Sequence, residues 1–301
     1  MDNEQFLVRF WGVRGSYPVP GPSTLEFGGN TTCVEVRVGG GLIILDAGTG
    51  IIGLGQELTK AGRPVVATLL FSHAHYDHTQ GFPFFDPAND GTSVLYMFGP
   101  RAFGAGLEEA LSRAMLAPAF PIALTDLKSL RLISDFVDES EIIILDGNQE
   151  PKMGNVHREG GKFSPDAVQI SLLKSYAHPT AGVNVYRIAW RGKKLIYATD
   201  TESYVGGDTR LISFARGADL LIHDAQYTDD EYVSTFSPKQ GWGHSTPSMA
   251  LTVGRQAGVK KLVLFHHDPH HSDEQLRRIE RVCQREFSNA AMAREGMTIE
   301  L

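Results

Sequence analysis

Four side chains that commonly bind metals lie within six residues of one another. His73, His75, Asp77 and His78 follow a short apolar, partly β-branched run that starts at Val65 and is typical of a buried strand. In an extended or turn backbone, side chains two residues apart point to the same side. His73 and His75 can therefore bind one ion while Asp77 and His78 face a neighbouring position, so we predict two metal ions here.

The ligand types indicate which metal this strand end would bind. Histidine and carboxylate ligands suit Zn²⁺ best, with Mn²⁺ or Fe²⁺ as alternatives. The competing interpretation is a histidine-rich surface turn. Such turns seldom follow a buried strand or carry an aspartate between the histidines, and this favours the metal site.

Composition narrows the class of protein. The chain has 301 residues, 42% of them hydrophobic, and a formal net charge of −7, which predicts a sizeable core and no electrostatic footprint for nucleic acid or an anionic membrane. Two cysteines, Cys33 and Cys283, are too few for a disulfide framework. We see no signal-peptide pattern and no apolar run of membrane-spanning length. These features predict a cytoplasmic protein without a membrane partner.

Periodicity and turn residues predict alternating strands and helices. We predict helices at 51–60 and 107–116 and a last helix that begins after the N-cap Ser272. Residues 147–166 are rich in Gly, Pro and charge and predict a mobile loop, while the aromatic run 81–85 fits either buried packing or a pocket wall. No linker interrupts the chain, so we predict one domain, 1–301. The predicted strands are 6–11, 31–38, 42–45, 93–98, 168–175, 183–190, 195–199 and 261–265.

A histidine or aspartate follows several of these strands in the second half of the chain. A single residue of this kind is normally a turn or capping residue. In layered α/β folds, however, ligands gather at strand ends, so separate strands can deliver such groups to one pocket. We therefore predict that these side chains join the 73–78 cluster. They are His178, Asp200, His223, Asp224, His266 and His267.

The pattern His-x-His-x-Asp-His at 73–78 resembles the signature of the metallo-β-lactamase superfamily. The resemblance implies an α/β fold, a four-layer αββα sandwich, in which Asp46 orders the metal loop without binding metal. His267 is a rival to His266, which is favoured because the family motif places its histidine directly after the strand. The implied ligands are His73, His75 and His178 for one ion, Asp77, His78 and His266 for the other, and Asp200 between them.

Two further segments resemble a narrower group, ribonuclease Z and its relatives, which include class II cyclic-nucleotide phosphodiesterases. The segments are 223–226 (His-Asp-Ala-Gln) and 243–246 (Gly-His-Ser-Thr). The resemblance implies that His244 protonates the leaving oxygen and that Asp224 orients His244. Asp224 stands where the group has Glu, which shortens its reach by one methylene, and Gln226 stands where the group has Thr. The competing interpretation makes His244 a residue at a helix start, because Thr246 precedes a proline.

The residues and the resemblance together predict a dinuclear metal-dependent phosphodiesterase. Ions held about 3.5–4 Å apart can share a water and form hydroxide near neutral pH, which would attack phosphorus while Asp77 orients it. We predict a small phosphodiester or cyclic nucleotide as substrate, because the loop 147–166 is nearly neutral and lacks a long basic arm for tRNA. The alternatives are a ribonuclease Z-like RNA endonuclease, a thioester or lactone hydrolase, and a non-catalytic metal-binding sensor. The oligomeric state stays open, with a homodimer as one alternative.

Overall fold

The computed structural model describes residues 5–62, 64–101, 104–146, 150–159, 164 and 166–301. Its strands are β1 (Phe6–Gly12), β2 (Cys33–Val38), β3 (Gly41–Leu45), β4 (Val66–Leu70), β5 (Val94–Pro100), β6 (Leu130–Phe136), β7 (Glu141–Leu145), β8 (Lys152–Asn155), β9 (Val168–Ser175), β10 (Val183–Trp190), β11 (Lys193–Ala198), β12 (Leu220–Asp224), β13 (Lys261–Phe265), β14 (Ala290–Met292) and β15 (Thr298–Glu300).

The described helices are mostly short and lie between strands. Two of them begin with the predicted caps: the Thr246 hydroxyl accepts from the backbone N–H of Met249, and the Ser272 hydroxyl accepts from that of Gln275. The helices are α1 (Gly50–Lys60), α2 (Tyr76–Thr79), α3 (Leu107–Ala114), α4 (Val156–Glu159), α5 (Thr209–Phe214), α6 (Asp229–Tyr232), α7 (Pro247–Ala257) and α8 (Asp273–Glu286).

The strands form two mixed sheets. The first has the order β15-β1-β2-β3-β4-β5-β6, and the second has the order β14-β13-β12-β11-β10-β9-β7-β8. Strands β3 to β6 run parallel to one another in the first sheet, and β11 to β14 do so in the second. Parallel neighbours end at the same edge of a sheet, so the residues that follow them can meet there.

Apolar layers on both faces of each sheet hold the sandwich together. Between the sheets, Val8 and Phe10 of β1 pack in the same buried cluster as Ile170 of β9 and Ile222 of β12. On the outer faces, α1 and α3 cover the first sheet, while α5, α7 and α8 cover the second. Strands buried on both faces are expected to be continuous apolar runs, as the sequence shows. The predicted four-layer αββα architecture is confirmed.

Some sequence-based expectations of the fold are wrong or incomplete. The bounds predicted for β9, β10 and β13 agree with the structure. The predicted loop 147–166 instead contains β8, which pairs with β7, and α4; residues 147–149, 160–163 and 165 lie outside the described residues. β8 is largely exposed and has no apolar alternation, so only its pairing defines it. Sequence analysis also omitted β6, β7, β14 and β15.

The aromatic run 81–85 contains both buried and exposed rings, so buried packing accounts for only part of it. Phe82 and Phe85 are fully buried in the first sheet's outer core, whereas Phe84 is 54% exposed.

Cys33 and Cys283 are both buried and free. None of the helices in the described ranges has the length and apolar composition to cross a membrane.

A buried arginine joins the loop after β1 to the loop after β13. Arg14 is fully buried, and its guanidinium donates hydrogen bonds to the backbone carbonyls of Gly28 (2.8 Å), Asp268 (3.0 Å) and His271 (2.7 Å). Next to it, the Gly15 N–H donates to the His267 carbonyl over 3.0 Å. Arg14 therefore fixes the segment that carries His266.

We expect Arg14→Met to lower the free energy of unfolding by about 2–4 kcal/mol, because buried carbonyls would lose their donors. Chemical denaturation would measure this loss. Arg278→Met is the control, because Arg278 is an exposed member of an i,i+4 pair with Glu274 and should cost less than about 1 kcal/mol. Equal losses for the two variants would contradict the proposed role of Arg14.

Candidate metal centre

The strand ends bring seven of the predicted side chains to one edge of the sandwich. His73 and His75 follow β4, while Asp200 follows β11 and His266 follows β13 directly. Asp77 and His78 lie in the helical turn α2 rather than in extended backbone. Two groups of these side chains have their nitrogens and carboxylate oxygens within 4.8 Å of one another: His73, His75 and His178, and Asp77, His78, Asp200 and His266. His244 lies within the same distance of His178 and Asp200 and, on its other side, of Asp224 and His266.

The Asp200 carboxylate lies between the two groups. Its Oδ1 is 3.8 Å from His73 Nε2 and 3.7 Å from His178 Nε2. Its Oδ2 is 3.1 Å from His78 Nε2 and 3.3 Å from His266 Nε2. One oxygen thus faces each group, which is the arrangement that a bridging ligand requires.

The buried nitrogens of this site fit divalent ions. His73 Nε2 and His78 Nε2 are buried and have no hydrogen-bond partner among the described residues, although a buried polar atom left unpaired costs free energy. Donors about 2.0–2.2 Å from a tetrahedral Zn²⁺ lie roughly 3.4 Å apart, close to the spacings around Asp200. The set of imidazoles and carboxylates also matches what Zn²⁺, Mn²⁺ and Fe²⁺ accept.

A second layer of hydrogen bonds orients the histidine rings. His78 Nδ1 donates to Asp46 Oδ2 over 2.8 Å, His178 Nδ1 donates to the Gly243 carbonyl over 3.1 Å, and His266 Nδ1 donates to Gln226 Oε1 over 2.9 Å. A ring that donates through Nδ1 keeps Nε2 free for a metal. The His75 ring has the opposite orientation, because its Nδ1 atom is the one that faces the group, 3.1 Å from His178 Nε2.

Asp46 ties the metal loop to the second sheet. Its carboxylate accepts hydrogen bonds from the Ser72 N–H (2.7 Å), the Ser72 hydroxyl (2.8 Å) and the Tyr197 hydroxyl (2.7 Å), in addition to His78. Asp46 belongs to neither ligand group. These contacts support the ordering role that the resemblance implied for it.

Three of these side chains point inward from a left-handed backbone. Asp46, Asp200 and His266 have φ values of 59°, 53° and 63°, a region that costs roughly 1–2 kcal/mol for an L-residue. Such strain persists only where the surrounding structure enforces it. At Gly15, a Cβ atom would lie 2.4 Å from the His266 ring, so only glycine leaves room for that ring.

The surroundings of the first group keep its histidines neutral. Burial, together with the neighbouring histidines, lowers the pKa of His73 well below its usual value, and the pKa values of His75 and His178 are lowered for the same reasons. A neutral imidazole is the form that coordinates a metal. These three rings therefore need no deprotonation near neutral pH before they bind an ion.

The second group carries excess negative charge. Burial lowers the pKa of His78, but the carboxylates of Asp200, Asp77 and Asp46 outweigh it and raise this pKa well above its usual value. Burial also opposes ionisation of Asp77 and Asp200, yet the surrounding histidines hold both pKa values well below the usual range. A site that retains anions and attracts a proton this strongly also attracts a divalent cation.

His244 and Asp224 form the predicted pair despite the shorter aspartate side chain. His244 Nδ1 donates to Asp224 Oδ2 over 2.8 Å and is 4.0 Å from Asp200 Oδ1. Burial lowers the pKa of His244, but the Asp224 carboxylate outweighs it and raises the pKa to about 9. Asp224 Oδ1 accepts from the Ser245 N–H over 2.8 Å. His244 is therefore held beside the ligand groups by a carboxylate that favours its protonated form.

Two of the candidate histidines do not join the site. His267 Nε2 donates to the Ala293 carbonyl over 2.9 Å, and burial with the nearby Arg14 lowers its pKa to about 3. His223 is buried and donates through Nδ1 to the Asp224 carbonyl. Neither belongs to a ligand group. The structure therefore places His266 in the site and turns His267 away from it.

Sequence analysis missed several residues that shape this site. The Ser16 N–H donates to Asp77 Oδ2 over 2.7 Å, and the Tyr197 hydroxyl contacts Asp46. Gln226, noted only as a departure from the resembling motif, holds His266. The glycine at position 15 could have drawn attention to the first loop, whereas nothing in the pattern marked Tyr197.

Comparison with known proteins decides the family. The family model "Beta-lactamase superfamily domain" matches residues 42–267. The chain belongs to this superfamily. The membership confirms the predicted resemblance and, at the level of the family, the prediction of a metal-dependent hydrolase.

Two curated relatives of this chain are ribonuclease Z enzymes from archaea. Ribonuclease Z of Thermoplasma acidophilum is 26% identical over 98% of this chain and 96% of its own length. Ribonuclease Z of Pyrococcus horikoshii is 23% identical over 88% of this chain and 87% of its own length.

Solved structures share the fold. The metallo-β-lactamase fold protein YhfI from Bacillus subtilis has a TM-score of 0.68 at 17% identity and covers 99% of this chain and 100% of its own. Human tRNase Z, short form, has a TM-score of 0.62 at 20% identity and covers 97% and 98%. A diphosphatase of the PhnP family has a TM-score of 0.65 at 15% identity and covers 98% of both chains.

We expect about two divalent ions per chain in protein purified without chelator, because seven ligands exceed the needs of one tetrahedral site. Elemental analysis measures this ratio. Asp200→Ala should lose most of the metal while circular dichroism shows that the chain stays folded. His157→Ala, a change at an exposed position of helix α4, is the control and should keep both ions. A reproducible value near one ion with full activity would refute the two-metal arrangement.

Proposed function

We propose that the protein is a dinuclear metal-dependent phosphodiesterase. The observation that carries this proposal is the His244–Asp224 pair, which lies beside Asp200 and the ligand groups. Two bound divalent ions would supply Lewis acidity and generate a nucleophile from water near neutral pH. A poor leaving group such as an alkoxide additionally needs a proton, and the Asp224 carboxylate beside His244 favours the protonated ring that can donate one.

Each residue in the site has a proposed part in this reaction. Asp224 fixes the His244 ring through Nδ1, which leaves Nε2 available to the leaving oxygen. Asp77 Oδ2 accepts from Ser16 and lies 3.1 Å from His266 Nε2, while its Oδ1 has no hydrogen-bond partner among the described residues and can orient the attacking water. The proposed metal ligands are His73, His75, Asp77, His78, His178, Asp200 and His266.

Zn²⁺ is the proposed metal. A Zn²⁺-bound structure of PqqB from Methylobacterium extorquens has the same fold, with a TM-score of 0.62 at 15% identity. The ligand set of this chain suits Zn²⁺ first and Mn²⁺ or Fe²⁺ as alternatives.

A small phosphodiester, such as a cyclic nucleotide, is the proposed substrate. The net charge of −7 opposes a large polyanion. In the segment 147–166, Lys152, His157 and Arg158 are exposed, but Asp166 pairs with Arg191, and Glu150 adds a further acid; Lys162 lies outside the described residues. No described part of this segment forms a long basic arm.

RNA cleavage is the second candidate, because two curated relatives that match this chain over most of their length are named ribonuclease Z. A thioester or lactone hydrolase would share the metal ligands but has less need of His244, since its leaving groups require less protonation. A non-catalytic sensor would need neither His244 nor Asp224. The His244–Asp224 contact therefore favours phosphodiester chemistry over both.

We also propose that the chain forms one domain and that it lies in the cytoplasm. One buried cluster joins residues of both sheets, which supports a single domain over 1–301. The two cysteines are buried and unpaired, which supports a reducing compartment such as the cytoplasm.

We expect His244→Ala to keep its metal but to lose roughly 10²–10⁴-fold in turnover on substrates with poor leaving groups. The loss should be much smaller for bis-p-nitrophenyl phosphate, because p-nitrophenolate needs little protonation. Turnover of both substrates, measured beside metal content, tests this expectation. Asp224→Asn should likewise lower turnover on substrates with poor leaving groups. Equal losses on good and poor leaving groups would show that His244 binds substrate or supports the fold instead.

Salt dependence should separate a small substrate from RNA. For a small diester we expect kcat/KM to vary little with ionic strength, because few counterions are released. Precursor tRNA would give a steep negative slope, about −0.7 per neutralised phosphate for single strands. Efficient cleavage of precursor tRNA with such a slope would replace the small-substrate proposal with the RNA one.

A further inference from the structure

A tight turn beside His244 presents a lysine and a tryptophan. The Trp242 N–H donates to the Lys239 carbonyl over 3.1 Å, which closes the turn 239–242. Glu202 holds the turn by accepting from the backbone N–H groups of Gly241 and Gly243, each over 2.8 Å. The turn is thereby fixed two residues before His244.

The turn also packs closely against the metal centre. A Cβ atom at Gly243 would lie 2.3 Å from His178 Nδ1, and the Gly243 carbonyl accepts the hydrogen bond from that nitrogen. Since His178 is a proposed ligand, the turn cannot move away without disturbing the site. Its exposed side chains therefore have a fixed position relative to the metals.

The ammonium group of Lys239 lies near the faces of two aromatic rings. Lys239 Nζ is 4.1 Å from the centre of the Trp242 ring and 5.4 Å from that of Tyr227. In the described part of the chain, no carboxylate lies within 4.0 Å of this nitrogen. Tyr227 in turn contacts the edge of the His244 ring, with centroids 5.8 Å apart. The Lys239 cation is thus connected to His244 through one ring.

Trp242 offers a free aromatic surface at the same place. Its side chain is 53% exposed, whereas Trp190 is 5% exposed and Tyr227 is 5% exposed. Lys239 occupies one face of the indole, so the exposed remainder can receive a planar group. Exposed aromatic faces bind nucleobases by stacking, without regard to sequence.

We propose that Lys239 and Trp242 form the subsite for the leaving group, and that this group is a nucleotide: a base that stacks on Trp242 and a second phosphate that pairs with Lys239. The proposal rests on the proposed function, because it places the leaving group on the His244 side. A dinucleotide has such a leaving group. A 3′,5′-cyclic mononucleotide has no second phosphate, so dinucleotides are the preferred small substrates.

The reaction at this subsite consumes one water. The water oxygen bonds to phosphorus, the bond from phosphorus to the nucleotide oxygen breaks, and His244 gives its proton to that oxygen. The proton released from water restores His244. The product that leaves the subsite is a nucleotide with a free hydroxyl, so adenosine 5′-monophosphate (AMP) is a direct probe of it.

Isothermal titration calorimetry on the Zn²⁺-loaded protein tests the subsite without turnover. The probes are AMP, adenosine and ribose 5-phosphate. Lys239→Met keeps an apolar stem over the rings but removes the charge, and it should weaken AMP binding about tenfold without changing adenosine binding. Trp242→Ala should weaken AMP and adenosine about tenfold and leave ribose 5-phosphate unchanged. Unchanged AMP binding in Lys239→Met would overturn the proposal.

Two further variants serve as controls. Lys239→Arg keeps a cation and should retain AMP binding within about threefold. Phe236 lies in the same loop and is 97% exposed, but it has no ring contact with Lys239 or His244; Phe236→Ala should bind all three probes like the unmodified protein. A loss of AMP binding in Phe236→Ala equal to that in Trp242→Ala would contradict a specific subsite.

Kinetics then distinguish failure of the subsite from failure of the proposed function. With the 5′-phosphorylated dinucleotide pApA, Lys239→Met should raise KM about tenfold and leave kcat within about threefold. With bis-p-nitrophenyl phosphate the rise in KM should be much smaller than with pApA, because p-nitrophenol carries no phosphate. Absence of hydrolysis of any diester, beside Lys239-dependent AMP binding, would reject the phosphodiesterase and retain the nucleotide site. If pApA is hydrolysed equally well by Lys239→Met and the unmodified protein, the phosphodiesterase is retained and the nucleotide subsite is rejected.

Discussion

The buried carboxylate of Asp200 is the interaction on which the metal centre depends. Each of its oxygens faces a different group of histidines, so one side chain determines the distance between the two groups. An isolated buried carboxylate would be costly. Here the cost is offset by the surrounding imidazoles, which hold the pKa of Asp200 well below its usual range. The site therefore retains its negative charge and a strong preference for cations.

The two sheets must keep a fixed relation for this arrangement to persist. Asp46, at the end of β3 in the first sheet, accepts a hydrogen bond from Tyr197 of β11 in the second. Since Asp46 also holds His78, packing between the sheets is transmitted to the ligand loop. The left-handed backbone at Asp46, Asp200 and His266 shows that tertiary contacts enforce this geometry. The local sequence does not favour it.

Much of the fold follows from local patterns. The strands β9, β10 and β13 are apolar or alternating runs bounded by turn residues, and they form where predicted. The short edge strands β14 and β15 and the exposed β8 carry no such pattern. Their hydrogen bonds to β13, β1 and β7 define them, and a sequence read locally does not contain its pairing partners. β7 differs, because its isoleucine run is a signal that sequence analysis overlooked.

The sequence by itself determined which residue types could form the site, because the spacing of His73, His75, Asp77 and His78 and the histidines and aspartates at later strand ends are visible without coordinates. Only the tertiary structure decided which of the paired candidates faces inward. His266 enters the site and His267 turns to Ala293, and the left-handed backbone at His266 is a conformation that tertiary contacts, not local sequence, enforce. Likewise, the reach of Asp224 to His244 depends on how closely β12 approaches the segment before α7, a distance that sequence spacing does not specify.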